Sequence, residues 1–556
     1  MSIRLVDADS LKDASAIPAW IATAFRPTDG RDPLGLQSIT IDRIMPRLVP
    51  SVLALSRRAR YFSVYTFLLD EVFRHQPTAS QDELSGFVKA REYDYALAVQ
   101  LCPRGCGQTA SAVVGGLKAG PKVRSGAESF QRAESVESYL GGYGLYYRTP
   151  LVELGLVAPR GEFVPAQDEP LPRDVLRPGL GFALAERFRA AVADSAYYPD
   201  YFFGTQPIPK TVLVDLAERV CLCRLGDHPL ERSAIREAVI GLPSPTPDSA
   251  ASAERRGLAE QRRRSFAIVL WAFERDPSML IDGGNPTSKF RRVVWTEFER
   301  TLGDQTELAG GLAQWAALVG KDYLQDALAT IWSDFCRRGR ASQPADGMPP
   351  EEVSWFLTHG LLDGTTVDLG TGSLAVASST PTRTWAAEIS SRSAGQSLED
   401  LRGWVVHQNT AAAGLAFLLA LRNRLTERVI GVREWRAIAG QSSNWQPGLL
   451  GTIAALDAHL EEDPALGDTL AWVAHRFVVD VHERVAYSKL PDFTFRFRWE
   501  EDRLRFYDRD ASRFEPTDIR LDAITRLSRD LGLLDPAGET GVLTAEGTAF
   551  VAGVLG

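Results

Sequence analysis

The chain has 556 residues, 45% of them hydrophobic and 24% charged, with a formal net charge of −9. This is ordinary globular usage with apolar material for several cores, which excludes wholesale disorder, and at roughly 100–200 residues per domain it implies about three or four domains. The acidic balance excludes non-specific coating of nucleic acid, whose affinity comes from phosphate neutralisation, so any such contact must use local basic patches.

Residues 1–30 read as loosely structured, with one apolar segment at 17–25. The start, MSIRLVDADSLKDAS, lacks the basic and apolar pattern of a signal peptide. From Val52, residues Leu55, Ala59, Phe62, Thr66 and Leu69 recur at helical spacing. Beyond Tyr61 the stretch is apolar nearly all round, as a buried helix would be. Arg57, Arg58 and Arg60 fall at the head of this helix. They are candidate phosphate contacts, or else a solvated or ion-paired face.

A second helix is expected over 82–100, then a Gly- and Pro-rich loop over 102–127. Between 139 and 192 a helix ends at Leu151–Val157, a polar stretch follows, and another helix starts near Gly181. Residues 210–335 and 400–490 read as helical, with 312–335 a strong example. Segments 241–258 and 338–350 are rich in Pro, Ser, Ala and Gly and read as linkers. Val353–Val376 echoes the order seen at 139–192. The longest apolar runs, such as 411–421, are shorter than the roughly 20 residues a membrane span needs.

The clearest β-hairpin is 493–507. Phe493, Phe495, Phe497 and Trp499 alternate with Thr494, Arg496 and Arg498, and after a turn Arg503 and Arg505 alternate with Leu504 and Phe506. A period of two puts aromatics on one face and arginines on the other. The aromatics should pack on a core. The arginines either stand in water or straddle a DNA backbone.

The C-terminus has a helix through Ile524, Leu527 and Leu531, an exit at Gly532, a turn with Pro536 and Gly538, and a last helix that Thr544 can cap. Helix, exit, wing and capped helix together resemble a winged-helix domain.

Five cysteines, at 102, 106, 221, 223 and 336, are an odd and small set that fits a reducing compartment. Cys102/Cys106 and Cys221/Cys223 are candidates for a four-thiolate zinc site. Paired C-x2-C spacing is absent and Cys-x-Cys is awkward on a helix, so unrelated thiols, and no metal or cofactor, are expected. His475 and His482 share a helix face, yet seven residues apart they do not form a usual metal pair. His407 with Asn409 and His228 with Asp227 show no third partner. Residues 105–118 do not complete a P-loop, and serine-hydrolase, zincin and kinase signatures are missing. Asp492 and Glu500 flank a strand without the lysine of a metal-dependent nuclease core.

Residues 32–70 resemble the opening of a bacterial family associated with phage-defence islands, through Asp32, Leu34, Gly35 and Arg58-Ala-Arg60-Tyr61-Phe62. The resemblance implies a context, with a helicase or other ATPase as partner, and carries no catalytic residue.

The sequence therefore predicts a mainly α, multidomain protein of the cytoplasm with winged-helix-like α+β segments. Its expected divisions are 1–200 (with the winged-helix-like segment 139–192), 201–340, 350–490 and 491–556. The function expected is non-catalytic binding of duplex DNA or of a partner in an anti-phage system. The alternatives are a kleisin-like bridging subunit of an ATPase complex, or a nuclease-type enzyme whose site is assembled from distant acids on the helices at 312–335 and 468–487.

Overall fold

A computed structural model describes residues 26–27, 32–106, 113–163, 169–242, 250–280, 285–509, 512–535 and 541–556. The apolar segment 17–25, part of the 102–127 loop, part of the first linker and the turn at 536–540 lie outside them. The fold is mainly α, with short two-stranded ladders among the described residues. No described helix is long and apolar enough to cross a membrane.

Contacts divide the chain into two units, each drawn from separated stretches: Met1–Pro46 with Thr287–Thr517, and Arg47–Pro286 with Asp518–Gly556. This partition follows packing, where the sequence reading followed breaks in composition. The hairpin near residue 500 belongs to the first unit and the C-terminal helices to the second.

The first unit is built on the helix Glu307–Ser342, capped by Thr306, whose Oγ1 accepts from the Ala309 N–H. From Leu312 to Cys336 it is buried on almost every side. A helix buried all round needs neighbours all round. Ala411–Arg424 and Arg433–Ala439 supply two of them. Gly414 permits the closest approach, since a Cβ there would lie 2.7 Å from the Ala327 carbonyl oxygen. The hairpin pairs Phe497–Glu500 antiparallel with Arg503–Phe506. Phe497 and Phe506 pack edge-on to Phe335 of the long helix.

The second unit is built on Arg60–His75, which packs against Leu180–Val192 and Gln81–Gln100. Tyr61, Tyr65, Tyr143 and Tyr147 stack into one aromatic cluster. The Gln81–Gln100 helix starts with a full capping box between Ser80 and Glu83.

Three departures from the sequence reading have local causes. The helix expected from Val52 begins at Arg60, because Pro50 and Ser51 (φ 63°) turn the chain and leave Arg57 and Arg58 outside it. The expected loop 102–127 contains the helix Gly116–Arg124. The first linker contributes to Ala250–Arg275, a 26-residue helix.

The helix–ladder–helix order recurs three times. It runs Arg148–Glu153, the pair Val157–Ala158 with Val175–Leu176, then Leu180–Val192. It runs again through Pro350–Trp355, Thr366–Asp368 with Ser373–Ala375, and Thr382–Arg392. At the C-terminus Leu521–Asp530 and Ala545–Leu555 flank the single bridge Leu534–Leu543. Gly532 takes the left-handed conformation (φ 75°) that ends the first of these two helices, and Thr544 caps the second.

Candidate functional site

The seven arginines singled out by sequence do not present an open cationic face. Arg60 is fully buried, its guanidinium bonding both oxygens of Glu231 at 2.7 and 3.2 Å and the Cys221 carbonyl at 2.8 Å. Arg58 forks onto both oxygens of Asp530, which also accepts from the Ala59 N–H. Arg57 pairs with Asp522 at 3.2 Å. On the hairpin, Arg496 and Arg498 are buried, Arg498 lying over the Phe495 ring and within 3.3 Å of Glu500. Arg503 pairs with Asp346 at 3.2 Å and Arg505 with Glu500 at 3.6 Å. The alternation correctly places Phe497, Leu504 and Phe506 in the core, but packing covers much of the arginine face too.

The residues that carry the family resemblance also have structural work. The Asp32 carboxylate accepts from the Leu36 and Ser38 N–H groups, and Gly35 (φ 65°) lies under the Trp445 side chain. The buried Tyr61 hydroxyl accepts from the Val114 N–H.

What the hairpin does build is a basic recess. One cavity of about 430 Å³ is lined by Asp32, Lys489, Arg496, Arg513, Trp332, Phe514 and neighbours. A second, of about 420 Å³, shares Arg496 and Ser512 with it and is lined by Arg337, Arg340, Arg509 and Tyr507. Among the described residues the second lining contains four arginines and no carboxylate, and Asp32 is the one acid lining the first. Arg337 is held by the buried Asp334, and Arg513 by the buried Asp326 at 2.6 Å. Neither Asp334 nor Asp326 lines either of these two cavities, so the ion pairs brace the cations from behind the recess. Phe514 is half-buried and edge-on to Trp332. The Trp332 indole N–H and the Thr494 hydroxyl, both on buried side chains of the lining, have no hydrogen-bond partner.

His482 stands in the same wall. Its Nε2 accepts from the Arg496 N–H at 3.0 Å, and its Nδ1 lies 3.2 Å from the Pro33 carbonyl, to which it donates. Both ring nitrogens are engaged by backbone, so the ring is a neutral bridge and not a metal ligand. Burial pushes its pKa down to about 3.

Of the acids expected to assemble a hidden site, Asp322 and Asp326 of the long helix meet cations, and Glu399 of Leu398–His407 joins them. Asp322 pairs with Arg291 at 2.7 Å, Asp326 with Arg402 and Arg513, and Glu399 with Arg402 at 3.1 Å. These are the contacts of a buried ion-pair network.

The cysteines differ most from their sequence reading. The Sγ atoms of Cys102, Cys106, Cys221 and Cys223 all lie within 4.8 Å of one another, with Cys102 and Cys223 at 3.7 Å. None is in a disulfide. The Cys-x-Cys pair does not lie within one α-helix. Lys210–Val220 ends there, and Cys221 (ψ 153°) turns the chain into the 3-10 segment Leu222–Asp227. Cys102 likewise follows the end of Gln81–Gln100, and Gly105 (φ 74°) folds Cys106 back toward it. Two closely spaced cysteine pairs, the first just beyond the expected end of a helix at residue 100, were the signal available in the sequence.

Comparison with family models, with curated proteins and with solved structures finds no match to this chain.

Proposed function

We propose that this chain is a non-catalytic nucleic-acid-binding component of a bacterial defence system, and that its contact is the arginine-lined recess beside the hairpin, where it takes a single-stranded DNA segment. The observation that carries this is the lining of the second cavity: among the described residues, four arginines and no carboxylate, in a protein whose net charge is −9. Such a recess concentrates positive potential where the rest of the surface repels phosphate. A concave site of this size suits a few nucleotides better than a duplex, and half-buried Phe514 offers a ring for a base to stack on. Arg496 is thus retained from the sequence candidates as a wall residue. The defence context rests on the resemblance at residues 32–70.

The test is fluorescence anisotropy with labelled single-stranded and duplex DNA at 50 and 200 mM salt. Three phosphate contacts on a single strand predict a loss of about tenfold or somewhat more over that range. Arg340→Glu, on an exposed helix position, should weaken single-strand binding at least as much. Absence of salt-sensitive binding, or binding that Arg340→Glu leaves unchanged, rules the reading out.

A further inference from the structure

We propose that Cys102, Cys106, Cys221 and Cys223 hold one zinc ion in a closed structural site within the second unit. The geometry carries this. With Zn–S bonds of about 2.3 Å, the edge of a ZnS4 tetrahedron is about 3.8 Å. The Cys102–Cys223 separation, 3.7 Å, already matches that edge, and the other sulfurs lie no more than 4.8 Å apart. A contraction of about 1 Å at most would close the tetrahedron. The Cys102–Cys223 distance is also far beyond the ~2.05 Å of a disulfide bond.

The donor chemistry points to the same ion. Four thiolates and no oxygen or imidazole ligand select a soft or borderline metal, and Zn2+ is the common occupant of four-cysteine sites. All four positions are taken by protein, which leaves none for water or substrate, so the ion has a structural role.

The surrounding backbone is fixed before any ion arrives. The Tyr95 hydroxyl donates to the Val220 carbonyl at 2.7 Å, and buried Arg60 donates to the Cys221 carbonyl at 2.8 Å. These contacts set where Lys210–Val220 ends and so aim Cys221 and Cys223. Supporting groups of this kind commonly orient metal ligands. Arg104 and Arg224, both near Asp227, place positive charge beside a site whose four thiolates and one Zn2+ would sum to −2. The ion would staple the ends of two helices more than 100 residues apart in sequence, restricting the unfolded chain as a long cross-link does. Each thiol that binds releases its proton to solvent, and no electron is transferred.

The experiment uses the full chain, purified without chelator from zinc-supplemented medium. Elemental analysis should find one zinc per chain, and Cys336→Ala, outside the cluster, should keep it. Cys102→Ser and Cys223→Ser should each lose most of it. Because those variants can misfold, the wild-type chain is also stripped with an organomercurial, reduced and titrated with Co2+. The expected result is intense thiolate-to-cobalt charge-transfer absorption with the visible bands of tetrahedral cobalt, saturating at one equivalent. Wild-type protein that lacks zinc and gives no such absorption would overturn the proposal. So would iron in place of zinc, or full zinc retention in both serine variants.

Discussion

Two arginine clusters of this protein have opposite surroundings. Arg57, Arg58 and Arg60 each meet a carboxylate of their own unit: Asp522, Asp530 and Glu231. Around the recess, Arg337 and Arg513 are braced by Asp334 and Asp326, which are not among the described lining residues, and Arg340 lies 3.8 Å from Asp508. The difference is one of sidedness. A guanidinium enclosed with its carboxylate is a structural cross-tie, because neither charge can return to water without losing the other. One whose carboxylate lies behind it still projects its field into the space in front. Counting arginines in a sequence window cannot separate these cases.

The sharpest way to break the comparison is Arg60→Met. It strands Glu231, whose side chain is 1% exposed, and removes the donor to Cys221. A loss of about 3–5 kcal/mol is expected from urea denaturation. Arg60→Met with Glu231→Leu should recover much of it. If the single variant costs under 1 kcal/mol, the cross-tie account of this cluster is wrong.

His482 gives the next effect. Its folded pKa, about 3, lies below the ordinary value near 6.5, so the unfolded chain binds a proton that the folded chain refuses. Its contribution is complete above about pH 6.5 and falls as pH drops toward 3, by about 1.4 kcal/mol per pH unit once the unfolded histidine is protonated. The nearby charges on Lys489 and Arg496 act in the same direction. Denaturation midpoints at pH 7 and pH 5 should differ by up to about 2 kcal/mol more in wild type than in His482→Asn. Equal pH slopes would show that the wall of the recess is not held by a neutral imidazole.

The smallest stability effect belongs to the residue with the largest predicted effect on binding. Arg340→Glu should change folding stability by no more than about 0.5 kcal/mol, as for most exposed substitutions. A large loss of stability would place Arg340 with Arg60 as a structural cation.

Much of the architecture was legible in the sequence. Helical periodicity located the buried helix after Tyr61 and the long helix through Trp315 and Phe335. Alternation located the hairpin and its buried aromatics, because a period of two or 3.6 is a local property of the chain. The helix start near Val52 was misread, since the periodic pattern passes through Pro50–Ala59 without registering the turn at Ser51.

Charge, burial and ligation were not legible, because they depend on what arrives from elsewhere. Whether Arg498 faces water or the Phe495 ring, and whether Arg60 finds Glu231, is decided by segments far apart in sequence or by the fold of the hairpin itself. The cysteines make the same point. The sequence set two closely spaced cysteine pairs, and an isolated Cys-x-Cys has no geometry that prefers a metal. Tertiary packing decided that both pairs meet, because Tyr95 and Arg60 fix the backbone at Val220 and Cys221 and thereby bring four sulfurs to one point.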